Sequence, residues 1–230
     1  MLSERWKGIL RGPASFNQAV PLSPQPIELR SADNSTASHA HRARGSRGLE
    51  QFFGFFRVQA GLTILDLGGA HQENINFITS LGHKFYSEDF LRIFQGTFQD
   101  PTGQSNPSQI DCFLREAFDY PDEHFDGVLV WDLLEQLDAP LLSATVDRLM
   151  RLMKPRGQLL AFFHSPDSRA LAPYSTFRIL DFHTLEIGES GSRAPALVFN
   201  NRSLEKLFQQ FNSVKFLLTH EQLRELIVKK

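Results

Sequence analysis

Apolar and polar positions along this chain fall into two regimes. From Leu49 onward, short apolar runs alternate with stretches of helical spacing, each joined by a turn. Leu49, Phe52, Phe53 and Phe56 predict an amphipathic helix over 47–58. The run Thr63-Ile64-Leu65-Asp66-Leu67-Gly68-Gly69-Ala70 predicts a buried parallel strand that breaks into a tight small-residue turn. Ile75, Ile78 and Leu81 predict a short helix over 74–81 that stops at Gly82, and 83–89 reads as a second strand ending in acids. The spacing predicts a helix over 91–98, a loop over 99–108 and a third strand over 110–114. A near-continuous apolar strand over 125–132 follows, then a helix over 141–153 with Leu142, Val146, Leu149 and Met153 on one face. Pro155-Arg156-Gly157 forces a turn into another apolar strand over 158–163. In the tail, 177–187 alternates like an exposed strand, 203–211 reads as a capped helix, and 214–218 returns as a strand. Strands alternating with helices through short turns predict an α/β fold, a Rossmann-like doubly wound sheet.

Residues 1–46 belong to the other regime. Pro13, Pro21, Pro24 and Pro26 punctuate them, and the stretch over 31–48 is polar, small and mildly basic through Arg42, Arg44 and Arg47. Such a segment buries too little apolar surface to offset its ordering entropy. A flexible N-terminal arm over 1–46 and a folded domain over 47–230 are expected; the alternative is a lid that orders on binding. His39 and His41 are too isolated to be metal ligands, and no metal site is expected.

Composition narrows the setting. Apolar residues make up 41% of the 230, and the 21 Phe predict an aromatic-rich interior. A formal charge of −2 predicts no general attraction to nucleic acid or to an anionic membrane. The single Cys112 excludes an internal disulfide and a cysteine-based zinc cluster, as expected of a reducing cytoplasm. The first residues lack the apolar core of a signal peptide, and no run reaches the roughly 18 apolar residues that a membrane span needs. A cytoplasmic protein is expected.

The chemistry concentrates at strand ends. Glycines at 68 and 69 let backbone approach a ligand closely. A carboxylate follows at the tip of the next strand, about 20 residues further on, which is the layout of a nucleotide site in a Rossmann-like sheet. A true dinucleotide fold would need glycines where Gly68-Gly69-Ala70-His71-Gln72-Glu73 stands. Glu73 would then set an anion near a pyrophosphate at a helix N-terminus, a conflict of sign that weighs against a nicotinamide oxidoreductase.

Four segments in this order resemble the class I S-adenosylmethionine-dependent methyltransferases. They are the glycine turn over 64–70, the acids Glu88-Asp89, the stretch from Phe118 to Asp126 with its Pro121-Asp122 pair before Phe125-Asp126, and Leu149-Met150-Arg151-Leu152-Met153-Lys154-Pro155-Arg156-Gly157. Ala70 and Gln72 stand where the family's first motif has glycine, and Leu114 where an acid is often found near the adenine. The resemblance implies a mostly parallel seven-stranded sheet with an antiparallel C-terminal strand. It implies S-adenosylmethionine as cofactor, with Asp66, Gly68, Gly69, Ala70, Glu88, Asp89, Glu116 and Trp131 as the residues around it.

Asp66 orients the glycine loop, meets the cofactor ammonium, or caps the turn as a structural acid. Glu88 is preferred over Asp89 for the ribose, because a carboxylate accepts from two vicinal hydroxyls at once. Asp132 has a role toward acceptor or cofactor amine, or caps a helix; Glu135 is expected in solvent. His164, at the rim after the strand over 158–163, is the candidate general base, with a histidine satisfied by a backbone partner as the alternative. Methyl transfer is mostly alignment, and a base is needed only when the acceptor loses a proton during attack. The end of the strand at Trp131-Asp132-Leu133-Leu134 lacks the motif that grips an exocyclic base nitrogen, so no nucleic acid is expected, and the resemblance of the segment from Phe118 to Asp126 implies a small-molecule acceptor. The missing glycines leave one alternative from another class, a non-catalytic relative that uses the fold for binding.

Overall fold

The computed structural model describes residues 41–98, 104–165, 172–193, 197–217 and 223–230. Most of the expected arm lies outside the described residues. Of the remainder, His41–Gly45 form strand β1, which pairs antiparallel with a strand far along the chain.

Helix α1 (Arg47–Phe56) starts on Ser46, whose side chain accepts the Leu49 N–H. Then come β2 (Thr63–Asp66), α2 (Gln72–Ser80), β3 (Lys84–Ser87), α3 (Phe90–Thr97), α4 (Pro107–Ala117) and β4 (Phe125–Trp131). A 3-10 turn, Leu133–Gln136, leads to α5 (Ala139–Leu152) and β5 (Met153–His164). The tail holds β6 (Ala172–Ile179), β7 (Thr184–Arg193), α6 (Asn201–Leu207), β8 (Ser213–Leu217) and β9 (Leu223–Lys229).

The central sheet runs β3-β2-β4-β5-β9-β8, and a separate antiparallel sheet runs β1-β7-β6. The pairings among β3, β2, β4 and β5 are parallel, whereas β9 is antiparallel to both β5 and β8. The fold is thus α/β and Rossmann-like with an antiparallel C-terminal strand, as expected. Three details differ. The central sheet has six strands among the described residues, not seven. The expected third strand over 110–114 lies within α4, because Asn106 and Gln109 form a capping box around Pro107 and start a helix there. The expected single strand over 177–187 is a hairpin, turned where Asp181 accepts the His183 N–H.

Alternation along the central strands sorts the core onto two faces. Leu65, Val128, Val130, Leu159, Ala161 and Phe163 face α3, α4 and α5; Ile64, Leu129, Leu160 and Phe162 face α1 and the second sheet. Gly127 in β4 makes the second face possible. A Cβ there would stand 2.6 Å from Phe56 Cζ and 2.8 Å from Phe52 Cζ, so α1 rests its rings directly on the strand.

One buried carboxylate joins the start of this architecture to its end. Glu225 of β9, fully buried, accepts from Arg44 Nη2 (2.5 Å), Ser46 Oγ (3.1 Å) and the Gly48 N–H (2.5 Å). It therefore ties β1 and the first turn of α1 to the central sheet, where the helix N-terminus favours an anion.

Candidate functional site

The strand order reverses between β2 and β4: from β2 the chain adds β3 on one side, then crosses to β4 on the other. Open α/β sheets bind ligands in the crevice at the carboxyl ends of such strands. Here that rim carries Asp66 and the Gly68-Gly69 turn after β2, Glu88 and Asp89 after β3, Trp131 and Asp132 at the end of β4, and His164 ending β5.

Asp66 is fully buried, and its carboxylate is engaged from three directions. It accepts from the Gly68 N–H (2.9 Å), Asn74 Nδ2 (2.7 Å) and Trp131 Nε1 (2.6 Å). Burial pushes its pKa above the usual carboxylate value against the pull of these hydrogen bonds. The bond from the Gly68 N–H holds the glycine loop and caps the turn alike, and all three bonds are internal to the protein. Asn74 extends the network, since its Nδ2 also donates to the Phe177 carbonyl (3.1 Å) and its Oδ1 accepts the Ile179 N–H (2.7 Å). The loop is thereby locked to β6. Sequence reasoning passed over Asn74, whose signal was its position on the first turn of a helix after an acid-ended strand.

Trp131 holds a left-handed backbone, φ 57°, costly for a non-glycine residue and sustained by the contacts around it. Its indole stacks on Phe177 at 5.0 Å between centroids, 5° from parallel. A Cβ on Gly68 would stand 2.9 Å from this ring, so the missing side chain at Gly68 admits the indole. Gly69, itself buried, has φ +90°, and a Cβ there would meet nothing nearer than Asp89 at 4.0 Å; the exposed part of the turn is Ala70. The turn is bonded to the β3 exit: the Gly69 N–H donates to the Glu88 carbonyl (3.1 Å), and Gly68 bridges Asp89.

The two acids after β3 part company. The exposed Asp89 caps α3 by accepting the Arg92 N–H at 3.0 Å. Half-buried Glu88 accepts from the Tyr120 hydroxyl through Oε1; burial, that hydrogen bond and the Glu88 charge raise the Tyr120 pKa. Glu116 is exposed on α4, and the strand whose tip it was expected to follow is that helix.

Across the crevice lies a buried acid–histidine cluster. Asp132 is 3% exposed, and its Oδ2 has no hydrogen-bond partner. Burial, reinforced by the Glu135 charge and opposed by His164, pushes its pKa up to about 7. Glu135, expected in solvent, is also 3% exposed. Its Oε1 accepts the His164 N–H at 2.8 Å, and its Oε2 lies 2.6 Å from His164 Nδ1. Burial alone would lower the imidazole pKa, but the hydrogen bond and charge of Glu135, with Asp132 and Glu189, raise it above the usual value. Arg224 of β9 donates to the His164 carbonyl (2.8 Å) and fixes the end of β5. The structure thus brings Asp132 and His164 together, with Glu135 next to both.

Fold and rim together define a Rossmann-like α/β protein whose candidate site residues gather at the switch point of its sheet. No family model and no curated protein matches the chain. Among solved structures it is similar to an S-adenosylmethionine-dependent methyltransferase from Methanosarcina mazei, at 17% identity and a TM-score of 0.47, covering 77% of this chain and 96% of the other. It is also similar to the 1,6-didemethyltoxoflavin-N1-methyltransferase of Burkholderia thailandensis, solved with bound 1,6-didemethyltoxoflavin and S-adenosylhomocysteine. There the identity is 11% and the TM-score 0.45, over 80% of this chain and 76% of that one. No helix among the described residues is long and apolar enough to cross a membrane.

Proposed function

We propose that this chain is a class I S-adenosylmethionine-dependent methyltransferase acting on a small-molecule acceptor, with its catalytic domain running from β1 to residue 230 and its place in the cytoplasm. The observation that carries the reading is the placing of Glu88 beside the Gly68-Gly69-Ala70 turn on one side of the switch point, opposite Asp132 on the other. The residues present fit the cofactor. Glu88 keeps Oε2 without a partner among the described residues, suited to vicinal ribose hydroxyls. Ala70 offers exposed backbone at the turn, and a Cβ on Gly69 would meet nothing nearer than 4.0 Å. The cofactor supplies a methyl group already activated on a sulfonium. The protein's own work is to hold the acceptor in line, keep water out, and take a proton where the acceptor must lose one. His164 and Asp132 stand on the acceptor side.

A second reading, a non-catalytic binding module, is favoured by the indole of Trp131 over Gly68 and by the full internal engagement of Asp66. Calorimetric titration with S-adenosylmethionine and S-adenosylhomocysteine, with NAD as control, separates the two. Micromolar binding that weakens about tenfold in Glu88→Ala is expected for the enzyme. No heat from folded protein with either sulfur ligand selects the binding module.

A further inference from the structure

Glu135 is a charge without an assigned role in the reading above, and its burial demands one. It sits on the 3-10 turn between β4 and α5, 3% exposed, with both oxygens spent on one residue. One oxygen holds the His164 backbone and the other its ring, at 2.8 and 2.6 Å. A carboxylate only accepts hydrogen bonds, so Nδ1 carries the proton and the neutral ring keeps its lone pair on Nε2. The His164 side chain remains 22% exposed at the rim where the crevice opens.

We propose that Glu135 is a positioning residue that fixes His164 in its Nδ1-protonated form, so that Nε2 is the base for an acceptor of the hydroxyl or carbon-acid class. This rests on the methyltransferase reading. Amines attack with a free lone pair and thiols ionise readily near neutrality, so neither needs a base in the transition state. A hydroxyl or an activated C–H does. In the step, the acceptor's oxygen or carbon bonds to the methyl carbon as the carbon–sulfur bond breaks, its electron pair remaining on sulfur. The acceptor proton passes to His164 Nε2, and the Glu135 carboxylate stabilises the resulting imidazolium.

The groups facing the ring are Glu135 from the 3-10 turn, Asp132 from the end of β4 and Glu189 from β7, with the Arg224 cation of β9 acting on Glu135. Three carboxylates around one imidazole make it a strong base that works once the pH has passed its raised pKa.

Two measurements on the ligand-free full chain test the proposal. Nitrogen-15 NMR of the His164 ring, assigned by its loss in His164→Asn, should show the Nδ1–H tautomer above the titration midpoint; an Nε2–H tautomer overturns the proposal without any Glu135 variant. Peptide-resolved carbethoxylation by diethyl pyrocarbonate across pH should show the His164 midpoint falling by about one unit in Glu135→Gln, nearly tenfold faster modification below the wild-type midpoint. The exposed His183 should react alike in both proteins and so reports an intact surface. An unmoved midpoint, or a His164 that never reacts where His183 does, overturns the proposal. Absence of S-adenosylmethionine binding removes the methyl-transfer reading and the acceptor class with it. The wrong tautomer in a protein that binds the cofactor overturns this proposal alone.

Discussion

Asp132 and Glu135 lie three residues apart and are equally buried, yet their surroundings treat them differently. Glu135 has both oxygens bonded to His164, whereas Asp132 keeps one oxygen without a partner. The Asp132 carboxyl accordingly moves from the ordinary 3.8 of an unfolded chain up to about 7 in the fold. Between those values the folded protein binds a proton that the unfolded chain has released, so stability falls as pH rises through that window. His164 acts in the same direction. Its raised pKa contributes fully below 6.5 and is lost as pH climbs through the folded value. The two titrate as a coupled pair. The urea midpoint should therefore fall from about pH 5 to about pH 8, and Asp132→Asn should flatten the part of the slope below about 7. A variant with the wild-type slope would show that the carboxyl is ionised in the fold.

Other site residues differ in how openly the sequence declared them. Asp66, Gly68, Trp131, Asp132 and His164 each end an apolar run or open a small-residue turn, and local pattern marks such places. Glu135 and Asn74 do not. Their burial comes from partners 29 and 103 residues away along the chain, beyond the reach of any local window. The left-handed backbone of Trp131 was equally silent, since nothing in an apolar strand forecasts a positive φ at its last residue.

At the scale of elements, α4 shows how an apolar run can mislead. Ile110, Phe113, Leu114 and Ala117 repeat at helical spacing, and Asn106-Pro107 with Gln109 is a helix-start signature; a five-residue window over 110–114 hides both. The β6–β7 hairpin was hidden for the opposite reason, because alternation continues up to its turn and resumes after it. β2 and β4 were legible, since burial on both faces leaves few polar positions to confuse the pattern, whereas β5 begins at Met153 and runs through the turn expected at Pro155-Arg156-Gly157, where Pro155 and Arg156 are exposed. Where α1 meets β4 the fit is close enough to test. Gly127→Ala drives a methyl group into Phe52 and Phe56, and overpacking should cost about 1–3 kcal/mol in urea unfolding with little change in m-value. An unchanged midpoint would mean that α1 can lift off the sheet without cost.

For the whole molecule, the Glu225 cluster is the connection most exposed to a single change. Glu225→Ala leaves Arg44 buried without its carboxylate and strips the acceptor from Ser46 and the Gly48 N–H. A loss of about 3–5 kcal/mol is expected, measured by the same unfolding. Arg44→Met in the Glu225→Leu background should recover much of it, since an apolar pair of similar volume carries no cost of desolvating charge. A loss under about 1 kcal/mol would place this pair with surface ion pairs.

The position of β9 also sets an order of events. It is the last described strand along the chain, yet it lies inside the sheet between β5 and β8. A chain made from its N-terminus exposes the β5 edge, the Arg44 guanidinium and the first turn of α1 until residues 223–229 arrive. For that interval the half-built sheet offers unpaired backbone to any neighbouring strand. A nascent chain stalled before β9 is therefore a natural client for a chaperone, and its rescue waits on the arrival of one seven-residue segment.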